Sequence, residues 1–267
     1  MGADIKQLRT RIKSVDSTMH LTKAMGLVAS SKIRRATEGM NRGRQYARAV
    51  STTINQLMQS PECAKSPYMT KRAEERTKLI VIAGDRGLAG GYNANIFRLL
   101  RSFTCQEIIP IGKRACDRFA GSLFYAEDFS YSDAKAIATR LCEEFARGEY
   151  DRLGILYTRY ISMMSQEATV SWVLPLTKPE AVEASGMIFE PDELTIFNTV
   201  IPEYVAGTLV ASVRESFASE VAARRVAMDS AGKNAQQMID ELNLHYNRAR
   251  QGAITQEITE IVAGSGT

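Results

Sequence analysis

From Ile5 onward, apolar or small residues recur in alternating steps of three and four: Ile5, Leu8, Ile12, Val15, Met19, Thr22, Gly26, Ala29, Ile33, Ala36, Met40, Gly43, Ala47, Val50, Ile54 and Leu57. Sixteen positions in one register give an unbroken period of 3.5 residues, which specifies a left-handed coiled coil rather than a lone amphipathic helix. The seam is bulky at both ends and small from Thr22 to Ala29, where a partner helix can approach closely or the pair can thin to enter a narrow space. The alternative is that Gly26 and Gly43 simply weaken the helix, by about 1 kcal/mol each. A second stretch, Glu203 to Val262, contains no proline and reads as one helix with a matching seam at Val210, Phe217, Val221, Met228, Ala231, Ala235, Met238, Leu242, His245, Ala249 and Gly252. Near residue 253 its stripe moves to Ile254, Ile258 and Ile261. At ~1.5 Å per residue this helix would be roughly 90 Å long. A globule of this chain length is about 45–50 Å across, so the helix is expected to project and to take residues 5–57 as its antiparallel cover, with the two termini together.

All seven prolines lie between Pro61 and Pro202, and proline inside a helix costs about 3 kcal/mol. The chain is therefore read as an N-terminal coiled-coil helix (1–60), an α/β globular domain with flanking loops (61–202) and a C-terminal coiled-coil helix (203–267). Within the middle segment Leu79 to Ala83 is a continuously apolar run of the kind buried on both faces of a sheet. Further strands are expected at Glu107 to Ile111, Ser122 to Ala126, Arg152 to Tyr160 and Thr169 to Leu174. Helices are expected at Tyr92 to Phe103, Lys113 to Phe119 and from an N-cap at Ser132 to Arg147, with Gly148 at C′. The charged run Lys71 to Lys78 reads as a linker or surface loop, and residues 175–202 as a return loop with Pro202 at the first turn of the final helix. Strands alternating with helices predict an open, mostly parallel, Rossmann-like α/β sheet inserted between the two long helices. Sixteen of the twenty aromatic residues fall in this segment, which places the globular core there.

Charge changes the picture in one place. Residues 1–58 carry eleven Lys or Arg against three Asp or Glu, a net of +8, whereas residues 203–267 carry six against eight. A basic first helix suits an acidic protein surface, nucleic acid or anionic lipid, or is merely a solvated face. The four cysteines have no CxxC spacing, so free thiols in a reducing compartment are expected rather than zinc or disulfides. No apolar run approaches the ~18 residues needed to span a bilayer and the start lacks a signal-peptide core, so a soluble, cytoplasmic protein is expected.

The turn Gly84-Asp85-Arg86-Gly87-Leu88-Ala89-Gly90-Gly91 lies where a doubly wound fold would hold a phosphate. It lacks the Lys-Ser/Thr of a P-loop and the spacing of GxGxxG. Nucleotide binding there stands against a structural turn or a docking surface for another protein, for which Asp85, Arg86 and Gly87 are the candidates. His20 and His245 fall near the helical seam and read as core or flanking residues rather than ligands. No nucleophile, acid/base pair or metal cluster emerges, so neither catalysis nor a bound cofactor is expected.

The segment Tyr246-Asn247-Arg248-Ala249-Arg250-Gln251-Gly252-Ala253-Ile254-Thr255-Gln256-Glu257-Ile258-Thr259-Glu260-Ile261-Val262 resembles the C-terminal helix of the gamma subunit of F-type ATP synthases. Ile12-Lys13-Ser14-Val15 and Thr22-Lys23-Ala24-Met25-Gly26-Leu27-Val28-Ala29-Ser30-Ser31-Lys32 resemble that family's N-terminal helix, and the glycine-rich turn its loop after the first strand. The resemblance implies a rotor shaft that transmits torque: an antiparallel coiled coil inside a hexamer of alpha and beta subunits, with the α/β domain near the membrane c-ring and the epsilon subunit. It implies a peripheral place at the cytoplasmic face of a bacterial plasma membrane. By similarity Lys23, Met25, Arg224, Arg250, Gln251, Thr255 and Glu260 match positions of beta contact or helix-to-helix coupling, and acidic loops of beta become the partner of the basic helix. The cysteine-bearing insertion of the chloroplast form is not present, so redox control through it is not expected. The tail Ala263-Gly264-Ser265-Gly266-Thr267 departs from the family's Ala-rich ending. The alternative is a coiled-coil-armed α/β protein that binds nucleic acid, which Tyr46 as the lone aromatic of the first helix counts against.

Overall fold

The first seam becomes one helix, α1 (Gly2–Leu57), in the computed structural model of the chain, which describes residues 2–73, 75–179 and 190–264. All sixteen seam positions are buried or half-buried, whereas Lys23, Leu27, Val28 and Arg48 on other faces are exposed. The second long helix, α5 (Glu193–Gly264), begins ten residues before the expected start at Glu203. Asp192 caps it, its carboxylate accepting from the Thr195 amide at 2.8 Å and from the Thr195 hydroxyl at 2.7 Å. Pro202 removes one intrahelical bond, but Phe197, Ile201 and Val205 are fully buried around it and their packing keeps the helix continuous. Of the return loop expected over 175–202, residues 180–189 lie outside the described residues, as do 265–267 of the tail.

The chain divides into two compact units, Met1–Ser30 with Arg224–Thr267, and Ser31–Ala223. In the first unit the two helices run antiparallel. Arg225 Nη1 donates to the Gly26 carbonyl at 3.1 Å, and a Cβ on Gly26 or on Gly232 would meet Met228 at 3.7 Å or Thr22 at 3.5 Å. Met19 packs with Ala235, Ile239 and Val15. The small residues thus bring the backbones together where the seam predicts. The α5 side of the seam differs from expectation: Gly232, Ala235, Ile239, Leu242, Tyr246, Ala249 and Ala253 are buried or half-buried, whereas Met238, His245 and Gly252 are exposed. Two registers share Ala235, Leu242 and Ala249, and the apolar Met238 favours the wrong one. Both histidines are exposed; His20 Nε2 lies 3.7 Å from Asp16 on the same helix face, so neither belongs to the core.

The second unit is built on a four-stranded sheet of order β2-β1-β3-β4. Strands β1 (Thr77–Ile82), β2 (Glu107–Ile111) and β3 (Arg152–Tyr160) are parallel, and β4 (Gln166–Leu174) is antiparallel to β3. Every residue of β1 is buried, so Leu79 and Val81 pack towards α2 (Tyr92–Leu100) while Ile80 and Ile82 face the opposite layer. That layer combines α4 (Tyr131–Ala146) with Ile54 and Leu57 of α1 and Phe197 to Val213 of α5. The charged run before β1 is not all loop, because Thr77 and Lys78 belong to the strand and the Lys78 ammonium lies 2.8 Å from Glu144 and 2.6 Å from Glu107. Helix α3 is a single turn (Lys113–Cys116). The strand expected at Ser122 to Ala126 is absent: one backbone bond, Gly112 N to Phe124 O at 2.8 Å, replaces a ladder. The cap of α4 is Ser130, not Ser132, in a reciprocal pair with Asp133.

All four cysteines are free thiols. One described helix, α5, has an 18-residue stretch apolar enough to cross a membrane, contrary to the expectation from uninterrupted runs. Just over half of that stretch, 56%, is buried within the protein, as in a core helix.

Two outcomes test this packing. Gly112 has φ +88° and a Cβ there would lie 2.0 Å from the Ala83 carbonyl oxygen. Gly112→Ala is therefore expected to cost about 3 kcal/mol or more in urea unfolding. Arg76 grips Asp151 at 2.8 Å and holds its carboxyl below the usual 3.8, so the stability this pair contributes is full above that value and fades as pH falls through the lower folded one. Between about pH 5 and pH 2 the parent should lose more stability than Arg76→Ala.

Candidate functional site

An open parallel sheet presents a ligand crevice outside the carboxyl ends of its strands where the winding reverses, here between β1 and β3. In this chain α5 fills it. Ser212, Glu215, Ser216, Ser219 and Glu220 recur at helical spacing, yet none exceeds 6% exposure. On the β3 side, the Thr158 amide donates to Ser216 Oγ at 3.2 Å, Ser219 Oγ donates to the Thr158 carbonyl at 3.1 Å, and the Tyr160 amide donates to Glu215 Oε1 at 3.0 Å. From the start of α2, the Tyr92 hydroxyl meets Ser216 Oγ at 2.8 Å and donates to its carbonyl at 2.9 Å. Burial, and next the charge of Glu220, push the Tyr92 phenol well above its ordinary value and keep it a neutral donor.

On the β1 side, the amides of Asp85 and Arg86 donate to Glu220 Oε2 at 3.4 Å and Oε1 at 3.2 Å. A Cβ on Gly84 would come within 2.7 Å of the Glu220 carboxyl carbon, so the turn needs glycine there for the carboxylate to seat. Glu215 is held from the α1 side by two of the three guanidinium nitrogens of Arg44, Nη2 at 2.8 Å and Nε at 3.2 Å, while Arg44 Nη2 also donates to the Tyr160 carbonyl at 2.9 Å. The hydrogen bond to Glu215 raises the Arg44 pKa despite the opposing effect of burial.

The expected docking residues divide. Asp85 is not exposed: at 9% exposure its carboxylate accepts from the amides of Lys113 at 3.1 Å, Ala126 at 2.9 Å and Glu127 at 3.0 Å, tying three segments together. Its polarity is consumed by backbone donors, which the sequence does not reveal. Arg86 is exposed, with Glu127 at 3.5 Å, and Gly87 is half-buried. The outward apolar residue of the turn is Leu88, 62% exposed and held at φ +61°, a conformation uncommon for a residue with a side chain.

The other expected residues form two groups along the first unit. Lys23, exposed, and Met25, half-buried, adjoin Gly26, while Arg224, half-buried and engaged, adjoins Arg225, so these three share the level of the Arg225 to Gly26 bond. Arg250, Gln251, Thr255 and Glu260 are exposed, about 40–55 Å further along α5. Thr255 Oγ1 donates to the Gln251 carbonyl at 2.9 Å, and Glu260 accepts from Gln256 at 2.8 Å. Beyond Ala253 every described residue of α5 is exposed, including Ile254, Ile258, Ile261 and Val262. Among the described residues no cluster of three His, Cys, Asp or Glu side chains is placed to hold a metal. Sequence reasoning missed Arg44, Tyr92, Glu215, Ser216 and Glu220, although the polar stripe from Ser212 to Glu220 was there to be read at helical spacing.

Comparison with known proteins matches residues 4–267 to a family described as ATP synthase. The chain is 40% identical to the ATP synthase gamma chain of Ruminococcus albus, over 98% of each. It is 36% identical to the sodium ion specific ATP synthase gamma chain of Acetobacterium woodii, over 99% of each. Its fold is similar to a chain in the Euglena gracilis mitochondrial ATP synthase structure of OSCP, F1 and c-ring, with TM-score 0.68 and 20% identity over 98% of this chain and 94% of that one. A chain in the rotor structure from the same organism gives TM-score 0.65 and 19% identity over 95% and 100%.

Removing one partner of the Arg44 and Glu215 pair should expose its role. Arg44→Ala leaves a buried carboxylate short of its guanidinium and is expected to cost about 2–3 kcal/mol in urea unfolding. Arg44→Lys should recover only part, because a lysine cannot supply the two-pronged contact.

Proposed function

The chain belongs to the ATP synthase gamma-chain family, whose members are non-catalytic central-stalk subunits of a membrane-associated complex, and from that premise we propose how its parts divide the work. The paired helices of the first unit turn inside a ring of alpha and beta subunits. The α/β unit faces the membrane c-ring and the epsilon subunit at the cytoplasmic side of the membrane. Torque then passes between ion-driven ring and beta sites through this chain, which itself holds no cofactor. Lys23, Met25 and Arg224 form one contact level with beta, and Arg250, Gln251, Thr255 and Glu260 form a second at the tip.

The observation that supports this reading most directly is the end of α5. Ile254, Ile258, Ile261 and Val262 are 46–70% exposed, on a stretch of α5 whose described residues beyond Ala253 are all exposed. Water is a poor environment for such a stripe, and an encircling protein surface removes it from water. The basic character of α1 adds long-range attraction to acidic loops of that ring.

The test is assembly of this chain with alpha and beta subunits followed by measurement of ATP turnover. Stimulated turnover is expected for the parent. Arg224→Ala and Gln251→Ala should each lower coupled turnover severalfold while leaving the helical melting curve of the chain unchanged. Full turnover in both variants would contradict the roles given to these residues, and no stimulation by the parent would contradict the rotor reading itself.

A further inference from the structure

We propose that Glu220 is a built-in anion, its carboxylate occupying the oxyanion position of the turn after β1 and so locking α5 to the sheet as the joint through which turning force enters the α/β unit. The second half of this statement rests on the central-stalk reading; the first does not.

The turn has the parts of an anion cradle. It follows the interior strand β1, opens into α2, and lies at the reversal point of the sheet. Two successive backbone amides, of Asp85 and Arg86, point at the two oxygens of one carboxylate at 3.4 and 3.2 Å. Gly84 leaves out the Cβ that would collide with it at 2.7 Å. The cradle is held open from behind: the Gly84 amide donates to Asn93 Oδ1 at 2.9 Å, and Asp85 turns its own carboxylate away to the amides of Lys113, Ala126 and Glu127. What arrives in the cradle comes from α5, and Glu220 is 1% exposed there. The glycine-rich turn thus takes an oxyanion that the chain itself supplies.

A carboxylate seated in this way does what apolar packing cannot. Apolar contact is non-directional and tolerates sliding or rotation of a helix about its axis, whereas two charge-assisted bonds to fixed amides define both position and rotation. Ser216, one turn away, and Ser219, the preceding residue, bond to Thr158 of β3, so α5 is pinned to two adjacent strand ends at once.

The test uses the full chain assembled with alpha and beta subunits, carrying Glu220→Ala or the isosteric Glu220→Gln. Exchange of the Asp85 and Arg86 amides should quicken about tenfold or more in Glu220→Ala, and less in Glu220→Gln, which keeps one acceptor. Millimolar sulfate should slow that exchange again in Glu220→Ala and have no effect on the parent, since only the emptied cradle can take an oxyanion. Probe rotation under load should slip in Glu220→Ala and recover with sulfate. Val221→Ala, a buried truncation beside it, should not respond to sulfate. Unchanged amide exchange in both Glu220 variants, or a sulfate effect no greater than in Val221→Ala, would overturn the cradle. Normal exchange changes with undiminished torque would overturn the joint alone, and absence of rotation in the parent would strike the central-stalk reading while leaving the cradle standing. If Glu220→Ala does not assemble, the exchange of Glu220→Gln decides: no quickening there overturns the proposal.

Discussion

A helix laid across the carboxyl ends of parallel strands meets backbone groups whose ladders have ended, and it stays only if its own side chains satisfy them. In this protein that constraint falls on the stretch of α5 from Ser212 to Glu220. Its buried hydroxyls and carboxylates answer Thr158, Tyr160, Tyr92, Asp85 and Arg86, and Arg44 of α1 completes the set. A buried acid without partners is costly, so each of these contacts depends on the others being present. The same arrangement removes the ligand crevice of the doubly wound fold, which explains how such a fold comes to serve in a non-catalytic family.

The coiled-coil portions obey a different rule. Along the seam of the first unit, small residues at Gly26 and Gly232 and larger ones at Met19 and Ile239 set how closely the backbones approach. The Arg225 to Gly26 bond marks one level of the pair. One long helix therefore carries a directional, hydrogen-bonded anchor in one part and an apolar seam in another, and its final turns carry apolar side chains that the chain itself leaves exposed.

Much of the fold was legible from period alone. The α1 seam held at every position because sixteen positions in one repeat over-determine a register, and β1 to β4 were marked by short apolar runs between turn residues. Shorter signals failed. Alternate positions of the α5 seam fall one residue off, at Met238, His245 and Gly252 in place of Ile239, Tyr246 and Ala253, because small and polar residues there fit two registers, and the early start of α5 was hidden by Pro202, whose cost is outweighed by Phe197, Ile201 and Val205. The site was less legible. Asp85 looked like a surface acid because sequence does not show which backbone amides will converge on it. Glu220 escaped notice because a carboxylate amid Ala and Val reads as solvent-facing until the strand ends are in place.

The central claim is that this chain is the turning central-stalk subunit of its complex. It is tested most directly by fixing a probe to the α/β unit in a complex with alpha and beta subunits and watching it under ATP. Stepwise unidirectional rotation is the predicted result; a probe that stays fixed, or only jitters, while the ring hydrolyses ATP would contradict it.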